Sequence, residues 1–129
     1  MIEKDTKEQV LMTSQPSGCT IEERRIGGVI VVAVSGTVDA ITAPQMDAAI
    51  AAAAAAAPTA IVVDLAAVDF LASSGMGVLV AAHADLPAEV RLVVVADGPA
   101  TSRPLKLIGI ADIMGVFAEL DEALLAVSD

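Results

Sequence analysis

Apolar runs rich in β-branched residues alternate along this chain with segments that favour helices. The run at residues 29–34 contains no polar position, which is typical of a strand buried on both faces. Runs at residues 60–64 and 91–96 repeat this pattern, and a shorter run covers residues 114–118. We therefore predict three central strands and a short last one.

A weaker strand precedes these runs. Residues 19–25 mix apolar and charged side chains, and Gly27 and Gly28 follow them as a turn signal. Because a tight turn leaves no room for a crossover connection, the strand at residues 19–25 should pair antiparallel with the strand at residues 29–34.

Helices are predicted between the strands and after the last one. Thr42 and Gln45 have the spacing of a capping box, and Pro44 stands in the first turn, where its missing N–H costs nothing. This helix should continue to Pro58, which stops it. Further helices are predicted over residues 73–86, 100–108 and 121–127.

The alternation of apolar strands with helices predicts a single α/β domain, in which a mixed, mostly parallel sheet of about five strands packs with about four helices. In open parallel sheets, ligands and partners meet the loops beyond the carboxyl ends of the strands. Here those loops are residues 36–42, 65–74 and 97–102. We expect all three loops to lie at one edge, each leading into a helix whose first N–H groups are unpaired.

Composition and charge restrict the possible functions. The chain has 129 residues, of which 56% are hydrophobic, so it fits one domain with its own core and is not a disordered protein. Its formal net charge of −10 argues against nucleic acid as a direct partner, because phosphate backbones require a basic surface. The same charge favours a basic protein partner, since opposite charge speeds encounter.

The amino end differs from the rest of the chain. Residues 1–18 are polar, so we predict a flexible lead-in there and a folded domain over residues 19–129. The lead-in lacks the apolar segment of a signal peptide, and the longest apolar run, at residues 48–57, is too short to cross a membrane. Cys19 is the only cysteine, so it has no internal disulfide partner. These features predict a cytoplasmic protein without membrane contact.

The most distinctive local feature is the sequence Ser-Ser-Gly-Met-Gly at residues 73–77, between a predicted strand and a predicted helix. One interpretation is structural: Ser73 caps the helix and the glycines allow close packing. The other is regulatory: Ser73 accepts a phosphoryl group, which would add about −1.5 to −2 charges at the positive end of the helix dipole. The residues alone leave both interpretations open.

The sequence predicts no catalytic, metal or cofactor site. Gly75 and Gly77 lack the third glycine of a dinucleotide-binding motif, because Val80 stands in its place. The only histidine, His83, lies nearly three turns into the predicted helix, too far to activate the Ser73 hydroxyl. A magnesium pocket of the phospho-receiver type would need an acidic pair and a late lysine that the sequence does not provide.

Several segments together resemble the STAS domain family and, within it, the small bacterial anti-sigma factor antagonists. These segments are the strand end at residues 36–39, the helix start at Thr42 and Ala43, the stretch at residues 62–70, and the serine-glycine motif that begins at Ser73. The resemblance covers residues 20–128, which is essentially the whole predicted domain.

The resemblance implies a partner-switching role. The unphosphorylated antagonist binds an anti-sigma factor, which is also a serine kinase of the ATPase fold, and thereby frees a sigma factor. The kinase breaks the complex by phosphorylating the serine that opens the second helix, and a serine phosphatase resets the switch. By motif position the phosphorylated serine is Ser73. The docking edge would comprise Asp39, Thr42, Ser73, Ser74, Gly75 and Met76.

Ala72 occupies a position where the family often has an acidic residue. This difference keeps an alternative open, namely an interaction module or scaffold subunit of a sensory assembly without a phosphorylation cycle. Both interpretations imply a binding protein rather than an enzyme, and neither implies a cofactor.

Overall fold

The structure, a computed structural model, describes residues 18–128. Within that range, five strands and four α-helices are joined by short turns and one 3-10 helix. In chain order they are β1 (Cys19–Ile26), β2 (Val29–Val38), α1 (Ala43–Ala55), β3 (Ala60–Leu71), α2 (Ser73–Asp85), β4 (Arg91–Val95), α3 (Ser102–Leu107), the 3-10 helix (Ile110–Asp112), β5 (Val116–Phe117) and α4 (Leu120–Val127).

The five strands form one sheet whose order follows the chain. β1 and β2 are antiparallel and are joined at Gly27 and Gly28, as predicted. β2, β3, β4 and β5 are parallel to one another. The predicted α/β domain with a mixed, mostly parallel sheet is therefore confirmed.

Helices cover the two faces of the sheet unequally. α1, α2 and α3 pack on one face, where Met46, Leu79 and Leu105 are buried against the strands. α4 packs on the opposite face through Ala123 and Val127. Helices on both faces bury the central strands from two sides, which explains why their sequences contain continuous apolar runs.

β3 is longer than the sequence predicts. Residues 65–74 were expected to form a loop, but residues 65–71 continue β3 and pair with β2 to its end. Two register shifts insert extra residues into β3, so that Leu65, Val68 and Leu71 lie three positions apart and still face the same core. This spacing lacks the period of two that identifies a strand in a sequence.

The three predicted loops do not all lie at one edge. β2 and β3 end side by side, with Val38 opposite Leu71. β4 ends at Val95, whose partner in β3 is Asp64. β3 therefore extends beyond β4 by roughly 20 Å of strand. The loop that begins at Asp97 is displaced from the end of β3. The expectation that all three loops lie at one edge of the sheet is therefore wrong for this loop.

The start of α1 also differs from the prediction. Thr42 is the N-cap residue, but its side chain makes no capping hydrogen bond, so the predicted capping box does not form. The hydroxyl is engaged elsewhere, as described below. α1 ends at Ala55, before Pro58, because Ala57 already takes a left-handed φ of 56°.

The predicted lead-in lies outside the described residues, except for Gly18. No helix within residues 18–128 combines the length and the apolar character needed to cross a bilayer.

Candidate functional site

The ends of β2 and β3 meet the start of α2 at one end of the sheet. Val38 and Leu71 are opposite each other in the last pair of this ladder, and the backbone N–H of Ala72 donates a 2.8 Å hydrogen bond to the carbonyl oxygen of Val38. We refer to residues 37–42 and 69–76 as the sheet tip. Every site residue predicted from the sequence lies within it.

Ser73 is the first residue of α2, and it is exposed to solvent. The N-cap position belongs to Ala72, whose backbone is extended. The predicted serine cap is therefore wrong, because the serine stands one position too late to act as the cap. Among residues 18–128 nothing hydrogen-bonds to the Ser73 hydroxyl, so this hydroxyl is accessible to another protein.

The three residues after Ser73 turn towards the interior. Ser74 is partly buried, and its Oγ is out of contact with solvent and without a partner in the described part of the chain. Gly75 is buried because α2 begins directly against the sheet. A Cβ at Gly75 would lie 2.6 Å from Cγ1 of Val38 and 2.8 Å from Cδ1 of Leu71. Met76 is only 7% exposed and belongs to the core.

A network of hydrogen bonds fixes the turn between β2 and α1. Oδ1 of Asp39 accepts from the backbone N–H groups of Ile41 at 3.0 Å and Thr42 at 3.1 Å. Oγ1 of Thr42 accepts from the N–H of Asp39 at 2.9 Å and donates to the carbonyl oxygen of Thr37 at 2.8 Å. Thr42 is 0% exposed, so water does not compete for these bonds.

The same network sets the charge of Asp39. Donation to the carboxylate, chiefly by the backbone N–H of Thr42, lowers the pKa of Asp39 below its ordinary value of 3.8. Desolvation acts in the opposite direction but does not prevail. Asp39 is therefore ionised at neutral pH and places a fixed negative charge on the sheet tip.

Two large apolar side chains that were not among the predicted site residues are exposed at the sheet tip. Ile41 lies in the turn before α1 and is 76% exposed, while Phe70 near the end of β3 is 54% exposed. Large apolar side chains with this much exposed area add apolar surface to a region that also holds the unbonded Ser73 hydroxyl. Ile41 could have been noticed as the only large apolar residue between Asp39 and Thr42.

The six predicted site residues divide by exposure. Thr42, Gly75 and Met76 are buried, so they shape the sheet tip without presenting side chains to a partner. Asp39 and Ser74 are partly buried, and only Ser73 is fully exposed. At the sheet tip, Ser73, Ile41 and Phe70 are exposed and Asp39 is partly exposed.

Asp64 lies outside the sheet tip, in the middle of β3. One of its carboxylate oxygens accepts a 2.9 Å hydrogen bond from the backbone N–H of Ala66, which is ordinary local chemistry for an aspartate. Within residues 18–128, no three His, Cys, Asp or Glu side chains are grouped closely enough to hold a metal ion.

Known proteins are similar to this chain both in sequence and in fold. The family model described as the STAS domain matches residues 20–123. The anti-sigma-F factor antagonist RsfB of Mycobacterium tuberculosis is 38% identical over 114 residues, which cover 88% of this chain and 93% of RsfB. The crystal structure of an anti-sigma factor antagonist from Mycobacterium paratuberculosis is 44% identical, with a TM-score of 0.85, and covers 88% of this chain and 97% of its own.

The fold extends to more distant proteins. SpoIIAA of Bacillus, an anti-sigma factor antagonist, is 21% identical in its unphosphorylated form, with a TM-score of 0.67 over 81% of this chain and 93% of SpoIIAA. At that identity the likeness concerns the arrangement of strands and helices.

Proposed function

The chain belongs to the STAS domain family, and on that premise we propose that it is an anti-sigma factor antagonist, which binds an anti-sigma factor and thereby frees a sigma factor. Two relatives that carry this name, at 38% and 44% identity, support the proposal along nearly the full length of the domain.

The observation that carries the proposal is the exposed, unbonded hydroxyl of Ser73 on a rigid sheet tip. The buried hydroxyl of Thr42 fixes the neighbouring turn, and the N–H of Ala72 ties α2 to β2. A surface that is ordered before binding loses little conformational entropy when a partner docks. This arrangement suits recognition by another protein.

Two effects would stabilise the complex, namely the burial of exposed apolar side chains and the attraction between opposite charges. Fully burying a side chain such as Ile41 or Phe70 stabilises a complex by about 1.5–3 kcal/mol each. The carboxylate of Asp39 favours a cationic group on the partner, in keeping with the acidic character of the whole chain. The partner should therefore present apolar positions beside a Lys or Arg side chain.

Phosphorylation of Ser73 would act as the switch. In that step Oγ of Ser73 forms a bond to the γ-phosphorus of ATP, the bond from that phosphorus to ADP breaks, and the hydroxyl proton passes to a base of the kinase. The phosphoryl group adds about −1.5 to −2 charges and is tolerated by the unpaired N–H groups at the start of α2. On the docking surface the same charge opposes binding, and a loss of about 1.4 kcal/mol weakens affinity tenfold.

The test uses the cognate anti-sigma factor with Mg²⁺ and ATP. Intact mass and peptide mapping should show one phosphoryl group, on Ser73. Ser73→Glu should weaken binding at least tenfold in calorimetry, whereas Ser73→Ala should bind like the original chain. Ser74→Ala is the matched control, because this neighbouring hydroxyl is out of contact with solvent. Phosphate on Ser74, or unimpaired binding of Ser73→Glu, would contradict the switch.

The apolar part of the surface has its own test. Ile41→Ser and Phe70→Ser should each weaken binding of the anti-sigma factor about tenfold or more, since burial of the side chain is lost. Leu107→Ser on α3 is the control, because Leu107 is 78% exposed and lies away from the sheet tip. Equal effects of all three changes would show that docking does not use the sheet tip.

A second candidate function is a scaffold or interaction module that lacks a phosphorylation cycle. The observation that favours it is Ala72, which caps α2 without any side-chain group and stands where the family often has an acid. Partner binding that stays unchanged after incubation with a competent kinase and ATP would support this candidate over the switch.

A further inference from the structure

A second set of exposed apolar side chains lies at the C-terminal end of α3, away from the sheet tip. Leu107 is 78% exposed and Ile108, which follows it, is 56% exposed. Arg103 and Lys106 are on the same short helix, and among residues 18–128 no carboxylate lies within ion-pair distance of either. We call these four residues the α3 patch. It combines apolar area with positive charge in a chain whose net charge is −10.

A cavity beside the α3 patch provides room for a side chain from outside. It has a volume of about 500 Å³ and opens between the loop after β4 and the first turn of α3. Pro99 and Leu107 line it with apolar groups, and Arg103 and Lys106 outnumber the one carboxylate there, that of Asp97, so its charged lining is cationic on balance. A leucine-sized side chain with acidic neighbours would fit the chemistry of this cavity.

α4 carries the complementary combination. Asp121 and Glu122 are exposed in its first turn, and Leu125, one turn further on, is 77% exposed. We call these three residues the α4 patch. The opposite side of the helix is buried against the sheet, so the orientation of the α4 patch towards solvent is fixed.

The two patches do not cover each other within one molecule. α3 packs on one face of the sheet and α4 on the other, and Leu107 and Leu125 are both largely exposed. Complementary charge and apolar area can therefore meet only between molecules. We propose that the α3 patch of one copy of this chain binds the α4 patch of a second copy.

Such contacts are heterologous, because two different surfaces meet. Each bound copy leaves one patch free, so that copies can add in series until the geometry closes a ring. The patches are small compared with the 1,200 Å² or more that a stable interface buries, so the association should be weak and dependent on concentration. The sheet tip takes no part and remains available to its partner.

The test measures the mass of the full-length protein by analytical ultracentrifugation over a range of concentrations. The weight-average mass of the original chain should rise above the monomer mass as concentration increases. The double variant Arg103→Glu, Lys106→Glu should associate at least tenfold more weakly, and so should Asp121→Lys, Leu125→Lys, which keeps the Glu122 carboxylate that accepts a 3.3 Å hydrogen bond from the N–H of Glu119 at the start of α4. Circular dichroism and thermal unfolding verify that both variants keep the fold.

Mixing the two variants gives the decisive measurement. In an equimolar mixture, the reversed α3 patch of one variant faces the reversed α4 patch of the other, and the two unaltered patches also match. Association should therefore return. The double variant Arg24→Glu, Arg25→Glu lowers the net charge as much as Arg103→Glu, Lys106→Glu does, but on β1, and should associate like the original chain. A strictly monomeric original chain, an unaffected reversal variant or a mixture without recovery would each overturn the proposal.

Discussion

The carbonyl oxygen of Val38 accepts a 2.8 Å hydrogen bond from the backbone N–H of Ala72. This bond joins the end of β2 to the N-cap of α2, so the position of Ser73 depends on β2 as well as on its own helix. The neighbouring Gly75 leaves space for this junction, since any side chain there would meet Val38 and Leu71. The exposed serine is therefore supported by buried residues that a partner never touches.

Gly75→Ala should destabilise the fold by about 1–3 kcal/mol, because the added methyl group overpacks the junction of α2 with the sheet. The same change should displace Ser73 and weaken partner binding. Gly77→Ala is the control: it lies in the same helix with nothing within 4 Å of the added atom, so it should stabilise α2 by up to about 1 kcal/mol. Urea unfolding measures both changes, and shifts of the same sign would contradict the prediction.

Asp39→Asn should destabilise the protein at neutral pH and matter less as the pH falls. The pKa of Asp39 is lowered in the folded state, so its carboxylate stabilises the fold above the ordinary pKa of 3.8. That contribution is lost as the pH falls through the folded-state pKa. Free energies of unfolding of both proteins between pH 6 and pH 3 should converge towards the acid end. A difference that stays constant would show that ionisation of Asp39 plays no part.

Thr42→Val should cost about 1–3 kcal/mol of stability, because it leaves the N–H of Asp39 and the carbonyl oxygen of Thr37 without their partner beside a buried side chain. Valine keeps the shape of threonine, so the loss isolates the hydroxyl. Thr37→Val is the control, since its hydroxyl makes only a long 3.4 Å bond to Asp69. That change should stay within about 0.5 kcal/mol. Chemical denaturation measures both, and equal losses would exclude the proposed network.

Cys19 should react slowly with thiol reagents in the folded protein. Its side chain is 1% exposed, and burial raises the pKa of the thiol, with a smaller contribution from the negative charge of Asp39. Alkylation at pH 8 followed by mass spectrometry should show rapid labelling only after urea is added. Equal rates with and without urea would show that β1 does not protect this residue.

The order of the elements could be predicted from the sequence because the signals are local. Continuous β-branched runs identify central strands wherever helices cover both faces, and Pro87, which follows the helix predicted at residues 73–86, cannot continue that helix. The same reasoning failed at residues 65–71, where the register shifts of β3 remove the alternation that marks a strand. A bulge depends on the neighbouring strand, and one sequence read alone does not contain that information.

The docking edge stays a prediction, but its residues could be placed in part. Ser73 stands out as a serine between a strand and a helix, the family motifs point to Asp39, and the structure brings both to one sheet tip. The N-cap position of Ala72 and the buried bonds of Thr42 follow from how the chain packs, not from spacing. The exposure of Ile41 and Phe70 is a property of the folded surface, which a hydrophobicity pattern would assign to the interior.

β3 continues from Asp64 to Leu71 with β2 as its only strand neighbour among residues 18–128. Along this stretch the backbone lacks the second ladder that holds the start of the strand. Local opening therefore requires less free energy here than in the middle of the sheet, and amide hydrogens of residues 65–71 should exchange with solvent sooner than those of residues 60–64. A partner bound at the sheet tip would slow that exchange further, so the protection of residues 65–71 reports docking without any change to the sequence.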